Sequence, residues 1–533
     1  MRFDQACACA ALILPGGCGT VFRETIYHGK LGTPMARMIK RLATLCAAGA
    51  IAAQAHAEPT GTFRFAHDVG SGTLSSLDPI ANGRILTITE KLMSRLVRPG
   101  VEGIPQPDLA TAWSANADGT VWTLELREGV TFHDGSTFEA ADVVYSLNRI
   151  LDPASDSPAK SVIAMVTDVA ALDEMTVQLT LDSTFADLPL QLMDPRLRII
   201  PEGSGETIGQ SGIGTGPFRL EKFDADGVTT LTAFEDYYEG EPLLARMEVY
   251  GIPNDKTRLQ AFLAGQLDME RGIQAHVRQA LNRSDAYIVQ EIPTGNWSGI
   301  VFRTDVEPFN NVRVRRALRM AVDREEMLKL ALDGGGIVSC DTPVAPSDQY
   351  RADMECDRDV AGAKALLAEA GYTDGLKISI HVAEVDAAWE AMALVFQDHV
   401  AAAGISVEIV KASSDGYWSE VWMKKDAFLT SWGERPGDQA LNEPFQSQAK
   451  WNESYFQDYT FDDKMRRARQ SLDFFERRNF YMDAQRYLFE RSGTLIPFHR
   501  TQLVGLSPRV KGLPGFKSDR IRWHLVRVDD TAS

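Results

Sequence analysis

The sequence predicts a mixed α/β chain folded into more than one lobe. Three observations carry that prediction. Short alternating segments of strand length and longer segments of helical periodicity follow one another along the chain. Residues 376–410 read strand, helix, strand, the order of a βαβ crossover. A length of 533 residues suits two to four domains or lobes, yet no internal repeat or low-complexity linker divides it. The lobes are therefore expected to be built from interleaved segments.

Gly61 to His67 alternates apolar and polar residues and reads as a strand. Thr87 to Leu96 reads as a helix. Val121 to Leu126 is a strand following an Asp118-Gly119 turn signal, and Ala140 to Arg149 has helical spacing. Thr176 to Leu181 is another strand. Val312 to Leu332 predicts one long helix with arginines on one side. Val360 to Ala370 predicts a helix stopped by Gly371, since glycine takes the left-handed conformation of a C-cap at little cost. Leu376–Val382, Ala388–Ala403 and Ile405–Val410 form the crossover, and Phe456 to Arg491 is mostly helical.

Charge narrows the function. Lys plus Arg is 55 and Asp plus Glu is 73, a net charge of −18. Nothing offsets phosphate repulsion, which argues against nucleic acid as a partner. A polybasic membrane-surface protein is disfavoured for the same reason. No apolar run reaches the roughly 18 residues a membrane span needs.

Residues 35 to 57 read as a signal peptide. Arg37, Lys40 and Arg41 form a positive start, Leu42 to Ala53 a short apolar stretch, and Ala55-His56-Ala57 a cleavage site with small residues where the peptidase needs them. Residues 1–34 show no clear pattern and are expected to be untranslated or disordered, with Met35 the true start. A lipoprotein reading at Cys18 is the poorer alternative. Removing residues 1–57 takes away six Lys/Arg and two Asp/Glu, leaving 49 against 71 and a net charge of −22. Only Cys340 and Cys356 then remain of the six cysteines, and in an exported chain a pair suggests one disulfide. Their spacing fits no metal motif.

Catalytic signatures are absent. The seven histidines after residue 57, at 67, 133, 276, 381, 399, 499 and 524, form no metal-ligand spacing. There is no G-x-S-x-G elbow and no P-loop. Gly212-Ile-Gly-Thr-Gly216 runs into Pro217 and is not a dinucleotide fingerprint. No cofactor and no covalent chemistry are expected.

Four consecutive segments carry a resemblance: Pro107 to Trp113, Asp118 to Arg127, Val130-Thr-Phe-His-Asp-Gly135, and Phe138-Glu-Ala-Ala-Asp-Val-Val144. They resemble the signature of family 5 solute-binding proteins, which serve dipeptide and oligopeptide ABC importers. Leu77-Asp-Pro79, Gly214-Thr-Gly-Pro-Phe218, Phe309 to Leu318 and Ala321-Val-Asp-Arg324 match in the same order, so the likeness covers nearly all of residues 60–515. It implies a two-lobed periplasmic binding protein (type II, cluster C) that closes on a buried ligand. Lobe one would be 58–303 plus 498–533, with a subdomain at about 103–216, and lobe two 304–497. The partners implied are a small peptide or peptide-like ligand and the ABC permease and ATPase subunits, the chain itself being a monomer. The signature residues read as structural: Trp122 as core, and His133 as a satisfied buried histidine rather than a ligand.

Two stretches are candidates for the ligand site. In Gly295-Asn-Trp-Ser-Gly299, Trp297 stands among small residues at the start of a strand, where it would stack on a ligand or fill a core. In Ser431 to Asn442, a loop follows Trp432 and carries Glu434, Arg435, Asp438 and Asn442. Dipeptide and oligopeptide binders carry in the similar loop an Asp that pairs with the peptide's α-amino group. An ungapped reading puts Arg435 there. The expectation is an anionic ligand group held by the planar fork of Arg435, or an amine read by Glu434 or Asp438. The structural alternative pairs Arg435 with Glu434 or Asp438 as a latch. Trp451 is a further candidate for the same cleft. The function expected is periplasmic capture of a small peptide or peptide-like solute for an ABC importer. A non-peptide anionic solute such as an opine or amino-acid conjugate, a chemosensory role, and less readily a secreted hydrolase are the other readings.

Overall fold

The computed structural model describes residues 58–67, 76–81, 85–100, 103–515 and 520–529, with the backbone alone at 275–276. The signal peptide expected over 35–57, and residues 1–34 before it, lie outside the described residues.

Two long strands organise the fold. Ile288–Phe302 and Thr494–Leu506 pair antiparallel, from Ile288 opposite Leu506 to Val301 opposite Thr494. The run Trp297 to Phe302 is continuously buried, as expected of a strand with neighbours on both sides. Gly299 permits the close approach, since a Cβ there would stand 2.7 Å from the Leu495 carbonyl oxygen. On one side the sheet continues through Ala427–Trp432, Leu376–Val382 and Ile405–Lys411. On the other it continues through Met269–Glu270, Thr62–His67, Arg246–Gly251, Val228–Ala233 and Phe218–Lys222. Gly336–Val338 joins Thr494–Leu506 off this path and brings the sheet to eleven strands.

The crossover is present. Leu376–Val382 runs parallel to Ile405–Lys411, and the helix Trp389–Ala401 packs on both. Trp389, Met392, Phe396 and Val400 recur at helical spacing and are fully buried there. A separate antiparallel sheet orders Ala110–Ala115, Val121–Leu126, Thr176–Leu181 and Val166–Asp173. Its first hairpin turns at Gly119, whose φ of +65° favours glycine. The helix Ala140–Leu151 covers it and starts with a reciprocal cap between Glu139 and Asp142.

The cores show the interleaving. Trp122, Leu124 and Leu126 of the small sheet share one apolar cluster with Phe445, Phe461 and Leu488, more than 300 residues later. Phe302, Trp389, Phe396 and Phe428 fill a second cluster around the crossover. Phe63, Phe65, Met247 and Trp523 fill a third, which joins the two ends of the described chain. Each such side chain contributes about 1.5–3 kcal/mol by leaving water.

Two helical expectations are corrected, those over 312–332 and 87–96, and the mostly helical stretch 456–491 is found as two helices. The helix expected over 312–332 is two, Val312–Met320 and Arg324–Leu332, because the Asp323 carboxylate accepts the Glu326 N–H and starts a new helix. Asp473 does the same between Tyr459–Gln470 and Phe474–Arg491 by accepting the Glu476 N–H. The helix read over 87–96 is Leu86–Leu92, and Val97–Pro99 is a strand paired with Pro105–Pro107. Cys340 and Cys356 form a disulfide with their Cα atoms 5.4 Å apart, tying the ends of the loop between them.

Candidate functional site

The strand Ala427–Trp432 ends where the loop Gly433–Pro436 turns into the helix Gly437–Phe445. Opposite stands Leu190–Arg196, which follows the small sheet, and beside it the loop 345–348 closed by the disulfide. A cavity of about 420 Å³ lies between these segments, with Arg520 on its wall. That volume is within the range of small-molecule sites.

Most charged groups on the wall are paired. Arg196 Nε donates to Asp194 at 2.7 Å, Arg435 Nε to Glu443 at 3.3 Å, and Arg520 Nη2 lies 3.5 Å from Glu434 Oε1. Glu434 also accepts the Gly295 N–H, while its own N–H donates to Asn296 Oδ1 at 2.8 Å. Asp348 is different. Its two oxygens accept the Tyr350 and Gly437 N–H groups at 2.8 and 2.9 Å, and no described cation lies within ion-pair distance. Burial, with Asp187 and Glu434 nearby, pushes its carboxyl up to about 6.

The residues singled out in the sequence are brought to one region in different roles. Glu434 and Arg435 line the cavity. Arg435 pairs with neither Glu434 nor Asp438 through its carboxylate; its partner is Glu443. Asp438 is 3% exposed and holds Arg469 with both oxygens, at 2.7 and 2.9 Å. Asn442 lies on the same helix, its carbonyl accepting the Gln446 N–H at 3.1 Å. Trp297 is only 2% exposed, inside its strand rather than at its start, and stacks on Trp432 with centroids 6.1 Å apart. Trp451 is 40% exposed and meets Trp432 edge-on.

Buried titratable groups hold this frame. Glu453 accepts from Trp422 Nε1 (2.6 Å), Thr430 Oγ1 (2.8 Å) and Trp432 Nε1 (3.0 Å). Burial pushes its carboxyl up to about 7 against those hydrogen bonds. His499 accepts from Arg351 at 2.9 Å and donates through Nδ1 to the Gly295 carbonyl. Burial and the Arg351 charge push it down to about 3, so it is neutral. His133 is structural in the same way: it donates to the Gly216 carbonyl, accepts the Gly214 N–H, and is pushed down to about 4 by burial.

A second constellation adjoins the cavity. Asp187, 2% exposed, accepts from Tyr350 Oη at 2.6 Å and Tyr481 Oη at 3.0 Å, and pairs with Arg477 at 2.8 Å. Burial pushes its carboxyl up to about 6, with Arg477 acting against that. Gln439 Nε2 donates to Gln191 Oε1 at 2.6 Å on the same seam. Asp187, Gln191, Arg196, Asp348 and Arg520 were not among the sequence candidates. The available signal at Asp187 is a lone carboxylate inside the apolar run Phe185 to Met193.

Among the described residues no group of three or more His, Cys, Asp or Glu stands together to hold a metal. No described helix is long and apolar enough to cross a membrane. A ligand-sized cavity beside a sheet whose two wings are joined by two long strands is the arrangement of a two-lobed periplasmic binding protein. Residues 105–453 match the bacterial extracellular solute-binding proteins, family 5, and the chain belongs to that family. The glutathione-binding protein GsiB of Pectobacterium atrosepticum is 26% identical over 465 residues, 83% of this chain and 89% of that protein. HbpA2 of Haemophilus parasuis superposes with a TM-score of 0.79 at 23% identity, covering 88% of this chain and 100% of that one. DppA of Helicobacter pylori, solved with the peptide STSA, gives 0.69 at 23% identity over 88% and 98%.

Proposed function

We propose that this protein is the periplasmic solute-capturing component of an ABC importer, exported by a leader at 35–57, and that it takes a small peptide or peptide-like solute into the cavity beside Glu434 and Arg435. The observation that carries the reading is that cavity of about 420 Å³, walled by carboxylates and guanidinium groups from distant segments. Such a wall suits a zwitterion, and the relatives named for glutathione and solved with STSA support the class. The lobes would be 58–303 plus 498–533 and 304–497, hinged at the two long strands. Ligand contacts on both walls would stabilise the closed arrangement over the open one. The chain acts as a monomer without covalent chemistry.

The test is a thermal-shift screen of residues 58–533 against glutathione, di- to pentapeptides, opine-like conjugates, amino acids and sugars. A ligand at 100 times its dissociation constant stabilises by about 2.7 kcal/mol, a readily measured shift. A shift with peptides supports the reading. A shift only with anionic non-peptides moves the ligand class, and no shift with any of them sinks it.

A further inference from the structure

We propose that Asp348 is the residue that reads the cationic amine of the bound solute, in place of the loop position that Arg435 occupies. This inference rests on the solute-capture reading above and assigns one pole of its cavity.

Charge balance singles out Asp348. Arg196, Arg435 and Arg520 on the cavity wall each have a protein carboxylate beside them, namely Asp194, Glu443 and Glu434. Asp348 lines the same cavity and has no such partner among the described residues. Asp187 and Glu434 lie near enough to disfavour its charge, and Arg351, which feels that charge, stands beyond ion-pair distance. A carboxylate taken out of water without a counter-ion is unfavourable, and the unfavourable term is relieved when a cation arrives. The wall carboxylate left without a direct ion-pair partner is therefore Asp348.

The geometry aims it. Tyr350 N–H and Gly437 N–H each take one oxygen, which fixes the carboxylate plane and leaves the remaining lone pairs of both oxygens for a donor. Gly437 is needed for this: a Cβ there would lie 3.0 Å from Asp348 Oδ1. A purely structural role, capping the helix Gly437–Phe445, requires an acceptor but not a charge. The two roles therefore separate on substitution by asparagine.

The experiment is calorimetric titration of residues 58–533 with glutathione and with Ser-Thr-Ser-Ala, each carrying a free or an acetylated amine. The wild type is expected to prefer the free amine by about 10- to 100-fold, the factor a charge-assisted hydrogen bond supplies. Asp348→Asn is expected to bring that ratio to within about twofold while binding the acetylated forms as the wild type does. An unchanged ratio in Asp348→Asn overturns the proposal. So does equal wild-type affinity for free and acetylated forms, which needs no variant to fold. Absence of binding to either peptide by the wild type overturns the peptide reading itself, and is told apart because it appears before any substitution is made.

Discussion

Tyr350 Oη donates to Asp187 Oδ1 across 2.6 Å, joining residues 163 positions apart in a fully buried contact. Arg477 reaches both, with Nε 2.7 Å from Tyr350 Oη and 2.8 Å from Asp187. On the proposed lobe boundaries this contact fastens lobe one to lobe two. Asp187→Ala strands Arg477 and the Tyr350 hydroxyl, while the Tyr481 hydroxyl keeps Asp438 Oδ1 at 3.0 Å. The substitution should lower stability by about 3–5 kcal/mol, as breaking one side of a buried pair does. Tyr350→Phe, which leaves the ion pair, should cost about 1 kcal/mol. Denaturant unfolding of both variants measures this; equal losses would contradict the assignment of Asp187 as the hub.

Glu453 makes stability depend on pH with a definite sign. Its folded value of about 7 lies above the ordinary glutamate value of about 4.3, so the native state holds the proton more tightly than the unfolded chain. The contribution is present at acid pH and is lost as pH rises through 7. The stability difference between wild type and Glu453→Gln should therefore shift in favour of the wild type on going from pH 8 to 5, by on the order of 3 kcal/mol. Denaturant melts of both proteins at each pH read this difference.

His499 contributes with the opposite sign. Its folded value of about 3 lies below the ordinary 6.5, so its stability contribution is present above 6.5 and is lost as pH falls towards 3. Removing this group by His499→Gln should flatten the acid limb of the unfolding profile relative to wild type. An acid limb that stays as steep would show that other groups carry it.

Arg435 shares Glu443 at a partly exposed position, where such a pair is worth little, so the guanidinium is available to exchange partners. Arg435→Ala should weaken binding of peptides with a free C-terminal carboxylate by about 10-fold or more, and their C-terminal amides little. Binding of the free carboxylate forms by Arg435→Ala at wild-type affinity would remove Arg435 from the site.

The disulfide closes the loop that carries Asp348 and Tyr350. Replacing Cys340 and Cys356 together by serine should lower stability by about 3 kcal/mol, the scale expected for a loop of this size. Melts with and without reductant should show the same loss in the wild type only.

Local patterns in the sequence carried much of the fold. The Asp118-Gly119 turn, the strands around Trp122 and the crossover from Leu376 rest on residues within a few positions of each other. The break in the helix expected over 312–332 is not legible because one aspartate, Asp323, does not disturb a long amphipathic pattern; its role as a cap shows only when its side chain is seen on the N–H three residues on. The site was less legible. The loop after Trp432 is legible, but its opposing wall is not, since Gln191, Arg196 and Asp348 come from segments remote from it in sequence. Trp297 reads the same as a stacking platform or a core residue until its partner Trp432 is in place.

The two long strands also set an order of events in biogenesis. Ile288–Phe302 has its neighbour Thr494–Leu506 made some 200 residues later, and that late strand is the one that bridges the two wings of the sheet. The third core likewise waits for Trp523 to meet Phe63. A nascent chain without residues 494–523 has neither, so the sheet and that core close late in synthesis. The same late-closing architecture keeps the polypeptide open until residues 494–523 are made.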